Sequence, residues 1–166
     1  MKTLLLVCDS GPLIILAKLG VLNTWLFKLV YDPVVVDVVV DEVRRGSFAY
    51  GEEEAFEAFL KQSRIVPSPK IREASASLST QDLASLSYAE QNSPAVLFAD
   101  DRLLRRAAKQ SAVPVIGFPG LIIQAVRSHL VSKDIAIKLL DQAIKHHDYR
   151  ISISLYQELR KQIENL

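Results

Sequence analysis

The sequence predicts an α/β fold, a small parallel sheet flanked by helices, on three observations. Short apolar runs at residues 3–8, 94–98 and 113–116 are continuous rather than alternating, which marks strands buried on both faces. Amphipathic segments of helical length separate them, so consecutive strands need crossover connections and run parallel. The first run ends directly on Asp9, and the second is followed after Ala99 by Asp100-Asp101, at the carboxyl edge where open parallel sheets place their ligands.

Each element follows from local chemistry. The run at residues 3–8 stops at the turn sequence Asp9-Ser10-Gly11-Pro12. Pro12 suits the first turn of a helix that continues through residues 13–19 and ends at Gly20. Asn23 can cap a short helix reaching residue 29, and a brief strand follows at 30–35, its ladder limited by Pro33. Asp37 opens a helix that stops at Arg44-Arg45-Gly46, with cations in the last turn and glycine just beyond. The valine run at 34–40 is compatible with strand as well. Residues 52–62 read as a helix with Ala55, Phe56, Ala58, Phe59 and Leu60 on its apolar side, and 64–69 as an extended link with a minor strand. A helix at 79–91, a strand at 94–98, a helix at 101–110 and a strand at 113–116 closed by Gly117 come next. The remainder is helical, at 121–129, 132–146 and 154–164. The expected organisation is a single domain, 1–166, with a core of about 1–127 and a helical extension of about 128–166.

Composition narrows the function classes. The 166 residues are 49% hydrophobic and 23% charged, as in an ordinary globular protein and unlike a disordered one. Twenty basic against nineteen acidic residues leave a net charge of +1, so any nucleic-acid binding must come from a local patch. The lone Cys8 excludes a disulfide framework and cysteine-rich zinc modules, and fits a reducing compartment. Mean hydropathy is +0.18, yet Asp9, Lys18, Lys28, Asp32 and Asp37 interrupt the apolar stretches. No window approaches the roughly 18 apolar residues of a membrane span. The start, Met1 to Cys8, imitates a lipoprotein signal, but its apolar run is too short and no small residue precedes the cysteine. A soluble, cytoplasmic protein with no membrane partner is expected.

Acids set among apolar residues carry the functional information. Asp9 follows the first strand, where it also suits a turn or a helix cap. Glu42 shares a helix face with Val38, Val39 and Val43, whereas Asp41 points elsewhere and can pair with Arg45 at i,i+4. Asp82 lies with Leu86 and Ala89 at i, i+4 and i+7, although Ser79-Thr80-Gln81-Asp82 also resembles a capping box. Asp100 and Asp101 end a strand, and one of them can cap the next helix. Jointly these positions bring four acids to one sheet edge and two flanking helices. Two charges about 4 Å apart repel by roughly 4 kcal/mol at an effective dielectric of 20, so such a cluster calls for a cation. Oxygen-only ligation points to Mg2+ or Mn2+ and not to zinc, and the chemistry implied is phosphate-ester hydrolysis.

The helix after Asp101 is two-faced. Leu103, Leu104, Ala107 and Ala108 form an apolar side; Arg102, Arg105, Arg106 and Lys109 form a cationic stripe that suits an RNA backbone or simply solvent. Arg105 can also pair with Asp101 at i,i+4. His129, His146 and His147 have no carboxylate at metal-site spacing, and no Gly-rich phosphate loop or Gly-x-Ser-x-Gly elbow occurs.

The order Asp9, Glu42, Asp82, Asp101 resembles the PIN-domain nucleases, in particular the VapC-like toxins with a helical carboxyl-terminal extension. The opening Val7-Cys8-Asp9-Ser10-Gly11-Pro12-Leu13-Ile14 and the segment Leu16-Ala17-Lys18-Leu19-Gly20 look like one subfamily with Ser or Thr after the first acid. Asp100-Asp101-Arg102, then Val113-Pro114-Val115-Ile116-Gly117, is similar to its closing segment, and Ile151-Ser152-Ile153-Ser154-Leu155-Tyr156 is similar to its helical tail. The resemblance spans essentially the whole chain. It implies a PIN-like three-layer fold and a metal-dependent endoribonuclease, with Mg2+ or Mn2+ held by Asp9, Glu42, Asp82 and Asp101 and with Ser10 supporting the first acid. Water would attack the phosphodiester in line, leaving a 5′-phosphate and a 3′-hydroxyl. It further implies a homodimer and a small antitoxin partner. One departure stands out: the family commonly has Thr or Ser two residues before the fourth acid, where this chain has Ala99. Asp100 is therefore an alternative fourth ligand. Two other readings are a non-catalytic PIN-like binding module and a haloacid-dehalogenase-like phosphatase, the latter lacking an acid at Gly11.

Overall fold

A computed structural model describes residues 4–29, 31–46, 51–71 and 77–166. Thr3 and Val30, placed above at the starts of two strands, lie outside the described residues, as do Met1 and Lys2.

The element order is β1 (Leu4–Cys8), α1 (Ser10–Lys18), α2 (Leu22–Lys28), β2 (Tyr31–Val36), α3 (Asp37–Arg45), α4 (Glu52–Gln62) and β3 (Arg64–Val66). Then come α5 (Thr80–Gln91), β4 (Ala95–Phe98), α6 (Arg102–Gln110), β5 (Val115–Ile116), α7 (Phe118–Arg127), α8 (Lys133–His146) and α9 (Ile153–Glu164). The five strands form one sheet in the order β3-β2-β1-β4-β5, parallel at every pairing. From β1 the chain builds outward through β2 and β3, then crosses back to add β4 and β5 on the other side. That reversal leaves the crevice between the carboxyl ends of β1 and β4 as the natural ligand position.

The alternation of β1 divides the interior in two. Leu6 and Cys8 belong to a large cluster with buried residues of α1, α2, α3, α4 and α7. Val7 belongs to a smaller one with Leu86 and Ala89 of α5, Leu97 of β4, and Leu104 and Ala108 of α6. The result is the expected three layers, helix, sheet, helix. Helices α8 and α9 add Ala136, Leu140, Ala143, Leu159 and Ile163 to the large cluster, so the helical extension shares the core of the rest.

Three details explain where elements start and stop. Within the valine run, Val34–Val36 is strand and Val38–Val40 helix, with the switch at Asp37, whose Oδ1 accepts from Val38 N (2.7 Å) and the Ser68 hydroxyl (2.6 Å). Beyond that switch Val39, Val40 and Val43 recur at helical spacing and are buried. Pro33 lies opposite Leu6 of β1, and β3 joins only from Val34 onward, so the residue without an N–H sits where β2 has one neighbour. Helix α7 begins one turn earlier than expected, at Phe118, because Pro119 is well placed in a first turn.

Candidate active site

Asp9 follows the central strand and immediately precedes α1. Its backbone N–H extends the ladder by donating to Phe98 O at 3.0 Å, which ties the carboxyl ends of β1 and β4 together. The residue is only 5% exposed, and its Oδ1 is buried with no hydrogen-bond partner. Although Asp9 occupies the cap position of α1, its side chain makes no capping bond. Burial first, and then the negative charges of Asp82 and Glu42, push its pKa up to about 7 against the backbone N–H groups of Ser10 and Gly11. A buried acceptor without a donor, facing like charges, is the arrangement that a bound cation relieves.

Helices α3 and α5, which pack against each other, supply those charges. Glu42 is half-buried on α3, next to buried Val43. Among the described residues Asp41 and Arg45 form no ion pair; the neighbouring Arg44 instead reaches α4, its Nε meeting Glu57 Oε1 at 2.8 Å. Asp82 is half-buried at the third position of α5, inside a full capping box: its Oδ2 accepts from Ser79 N at 3.0 Å and Ser79 Oγ accepts from Asp82 N at 3.1 Å. The capping and functional readings of Asp82 thus coexist, since the box uses Oδ2 while the charge bears on Asp9. Among the described residues, no three His, Cys, Asp or Glu side chains stand in a ready-made cation cage. Asp9, Glu42 and Asp82 share a field without closing around a point. Their oxygen-only donor set and the orphaned Asp9 Oδ1 fit a hard divalent cation, and these are the residues that would hold it.

The two acids after β4 behave differently. Asp101 is exposed and caps α6, its Oδ1 accepting from Leu104 N at 2.8 Å, and its charge is not among those that raise Asp9. Asp100 turns to the opposite flank, where its Oδ1 accepts from Phe118 N (3.0 Å) and from the Tyr149 hydroxyl (3.1 Å). Burial raises its pKa, against those two bonds and the nearby Arg105 cation. Tyr149 lies in the α8–α9 linker with its ring edge-on to Phe118, centroids 5.0 Å apart. Gly117 closes the group, because any Cβ there would collide with the Asp100 carboxylate and the Arg105 guanidinium. The sequence reading missed Tyr149 altogether. Its only signal was an aromatic residue in a polar break between two helices.

The cationic stripe is real but not uniform. Arg102, Arg105, Arg106 and Lys109 line an open depression of about 700 Å3 with the segment Ala112 to Val115. Arg105 does not pair with Asp101; its Nη1 donates to Ala99 O at 2.9 Å, which braces the loop after β4. Leu103, expected on the apolar side, is 46% exposed, and Leu104 and Ala108 alone are fully buried on α6. Ser10 is half-buried, and its backbone N–H favours the ionised form of Asp9.

The model of the family DUF3368, described as a PIN domain, matches residues 5–165. The chain belongs to the PIN-domain family. The parallel sheet between two helical layers is the α/β architecture this membership implies, and the PIN domain is a nuclease-type fold that typically works with divalent metals. No curated protein matches the chain. Among the described residues of the PIN domain, no single helix is long and apolar enough to cross a membrane.

Proposed function

We propose that this PIN domain is a Mg2+- or Mn2+-dependent endoribonuclease, acting in the cytoplasm as the toxin of a toxin–antitoxin pair. The observation that carries the reading is the partnerless, buried Oδ1 of Asp9 under the charges of Asp82 and Glu42. When bound, a divalent cation neutralises the phosphodiester and activates water for attack on phosphorus, leaving a 5′-phosphate and a 3′-hydroxyl.

The chain's own groups do the rest. Asp9, with its carboxylate steadied by the N–H groups of Ser10 and Gly11, anchors the site at the sheet edge, and Glu42 and Asp82 complete the charge from α3 and α5. Asp101, at the start of α6, is the fourth acid by analogy with the family order, with its Oδ1 already accepting from the Leu104 N–H. Asp100, the alternative fourth ligand, is supported less, because its Oδ1 already serves Phe118 and Tyr149. Arg102, Arg106 and Lys109 hold the RNA backbone along α6 through charge, with Arg105 partly committed to Ala99. A homodimer and a small antitoxin partner belong to the same reading through the family resemblance.

A second reading, a PIN module that binds without cutting, is favoured by the capping bonds that engage Asp82 and Asp101. One experiment separates the two. Mixed RNAs are incubated with the full chain in Mg2+, Mn2+ or EDTA, alongside Asp9→Asn. The nuclease cleaves in metal, fails in EDTA and fails as Asp9→Asn. Binding without cleavage in any metal establishes the module instead.

A further inference from the structure

A second concavity lies on the other side of Arg102. It measures about 400 Å3, within the roughly 300–1,000 Å3 usual for small-molecule sites. One wall is Gly11, adjoining Asp9, with Ile14, Ile15 and Lys18 of α1; the other is the α8–α9 linker, residues 147–150, with Asp100 to Arg102 between them. Arg102 also lines the depression along α6, so the two concavities are neighbours past the start of that helix.

Their chemistry differs. The α6 depression carries Arg102, Arg105, Arg106 and Lys109 and no acid, the lining a phosphate chain needs. In the linker pocket Lys18, Arg102 and Arg150 are matched by Asp100, Asp101 and Asp148, three against three, so it has no net pull on a phosphate. It offers an apolar portion from Ile14 and Ile15, planar groups that include His147 and Arg150, and a mixed rim of donors and acceptors. That is the equipment for a nucleobase: a flat apolar body with a polar edge, stacked on imidazole or guanidinium planes and hydrogen-bonded along its rim.

The linker is held in place for such a role. Tyr149 N donates to Ala143 O at 3.0 Å, its hydroxyl donates to Asp100 Oδ1 at 3.1 Å, and its ring packs on Phe118. Asp148 adopts a left-handed backbone (φ 54°), a conformation Asp tolerates better than most residues, and turns the chain between His147 and the anchored Tyr149. His147, Asp148 and Arg150 are thus presented from a fixed backbone, which lowers the entropy cost of gripping a ligand.

We propose that this pocket is a nucleobase subsite, in which an unstacked base of single-stranded RNA, adjacent to the bond held at Asp9, is read by His147, Asp148 and Arg150. The proposal rests on the RNA reading of the site and assigns the helical extension a part in choosing the sequence that is cut. Because the pocket opens beside Gly11 and shares Arg102 with the α6 depression, the strand runs with its phosphates along α6 and one base turned toward the linker.

The test measures binding of fluorescent oligo(A), oligo(C) and oligo(U) to the full-length Asp9→Asn chain by anisotropy across a salt series. His147→Ala and Arg150→Ala are introduced separately into that background, and their folding is checked by thermal melts. The affinities should spread by about tenfold among the three bases and fall to within about twofold of one another in either variant, while the salt slope changes little. Equal affinities in the parent, or an unchanged base order in both variants, overturn the subsite and leave salt-dependent RNA binding along α6 intact. An absence of RNA binding in the parent overturns the RNA reading and the subsite with it. Wild-type cleavage in Mn2+, measured separately, reports on the nuclease reading alone.

Discussion

Asp9 and Asp100 are the same residue type, at the carboxyl ends of neighbouring parallel strands, and each has one buried oxygen without a partner. Their surroundings set them apart. Asp9 faces two further acids and receives help only from backbone N–H groups, so its negative charge is opposed from the side-chain direction. Asp100 receives a backbone N–H and a phenol, with the Arg105 cation beside it, and its charge is supported. A buried carboxylate is therefore not a site by virtue of being buried. The sign of what surrounds it separates a group waiting for a cation from one that fastens a loop.

The largest expected effect distinguishes these roles directly. Asp9→Asn should reduce metal-dependent RNA cleavage by at least about a hundredfold, the cost of a misplaced reacting group, while the chain stays folded. Asp100→Asn, whose amide oxygen can still accept from Phe118 and Tyr149, should retain most of the activity. Comparable losses in the two purified variants would erase the distinction. The RNA cleavage assay described above is the measurement.

Stability should respond in the opposite sense. Mn2+ or Mg2+ at about 100 times its Kd adds about 2.7 kcal/mol to a native state that binds it, so the wild type should melt several degrees higher in metal than in EDTA. Asp9→Asn should melt above the wild type in EDTA and respond little to metal, because one repelling charge has gone. On the clamp side, Gly117→Ala should cost about 1–3 kcal/mol by forcing a methyl group against Asp100 and Arg105, and Tyr149→Phe should cost a similar or smaller amount by removing the phenolic donor. Thermal melts in EDTA and in Mn2+ decide all four; a wild type indifferent to metal would show that the acids around Asp9 bind none.

A pH series sharpens the contrast. The folded pKa of Asp9 is raised to about 7 from 3.8, so between these values the native state holds a proton that the unfolded chain has released. Stability falls with pH where the native state binds more protons, so the metal-free protein should weaken as pH rises from about 4 to about 7. Below that window the contribution is fully present; above about 7 it is lost. Asp9→Asn should flatten this dependence in EDTA melts, and an unchanged slope would show that another group carries it. The smallest effect belongs to Asp41→Asn, an exposed acid on α3, which should shift the EDTA melt by no more than about 0.5 kcal/mol and leave the metal response intact.

Much of the fold was legible because strands and helices here announce themselves locally. The continuous apolar runs became β1, β4 and β5, and Gly, Pro, Asp and Ser marked most helix ends to within a residue or two. The ambiguous valine run was settled by Asp37, whose side chain takes the Val38 N–H in the first turn of α3, an effect too local and too small to weigh against six valines in periodicity alone. The alternative pairing of Arg105 with Asp101 failed for a related reason. Its i,i+4 neighbour Asp101 was visible in sequence, whereas the carbonyl of Ala99, which it meets, becomes available only once β4 has ended and turned.

Local patterning by itself determined the α/β class, the parallel sheet, the helical carboxyl-terminal segment and the acids worth watching. Those features depend on side-chain period, caps and turns, which act over a few residues. Only the tertiary structure decided which acids meet. Glu42 and Asp82 bear on Asp9 because α3 and α5 pack side by side at the sheet edge, while Asp100 was drawn away by a tyrosine 49 positions along the chain. Charge acts through space, and buried acceptors take donors from wherever the fold delivers them, so the division between a cation-seeking acid and a structural one was settled by packing.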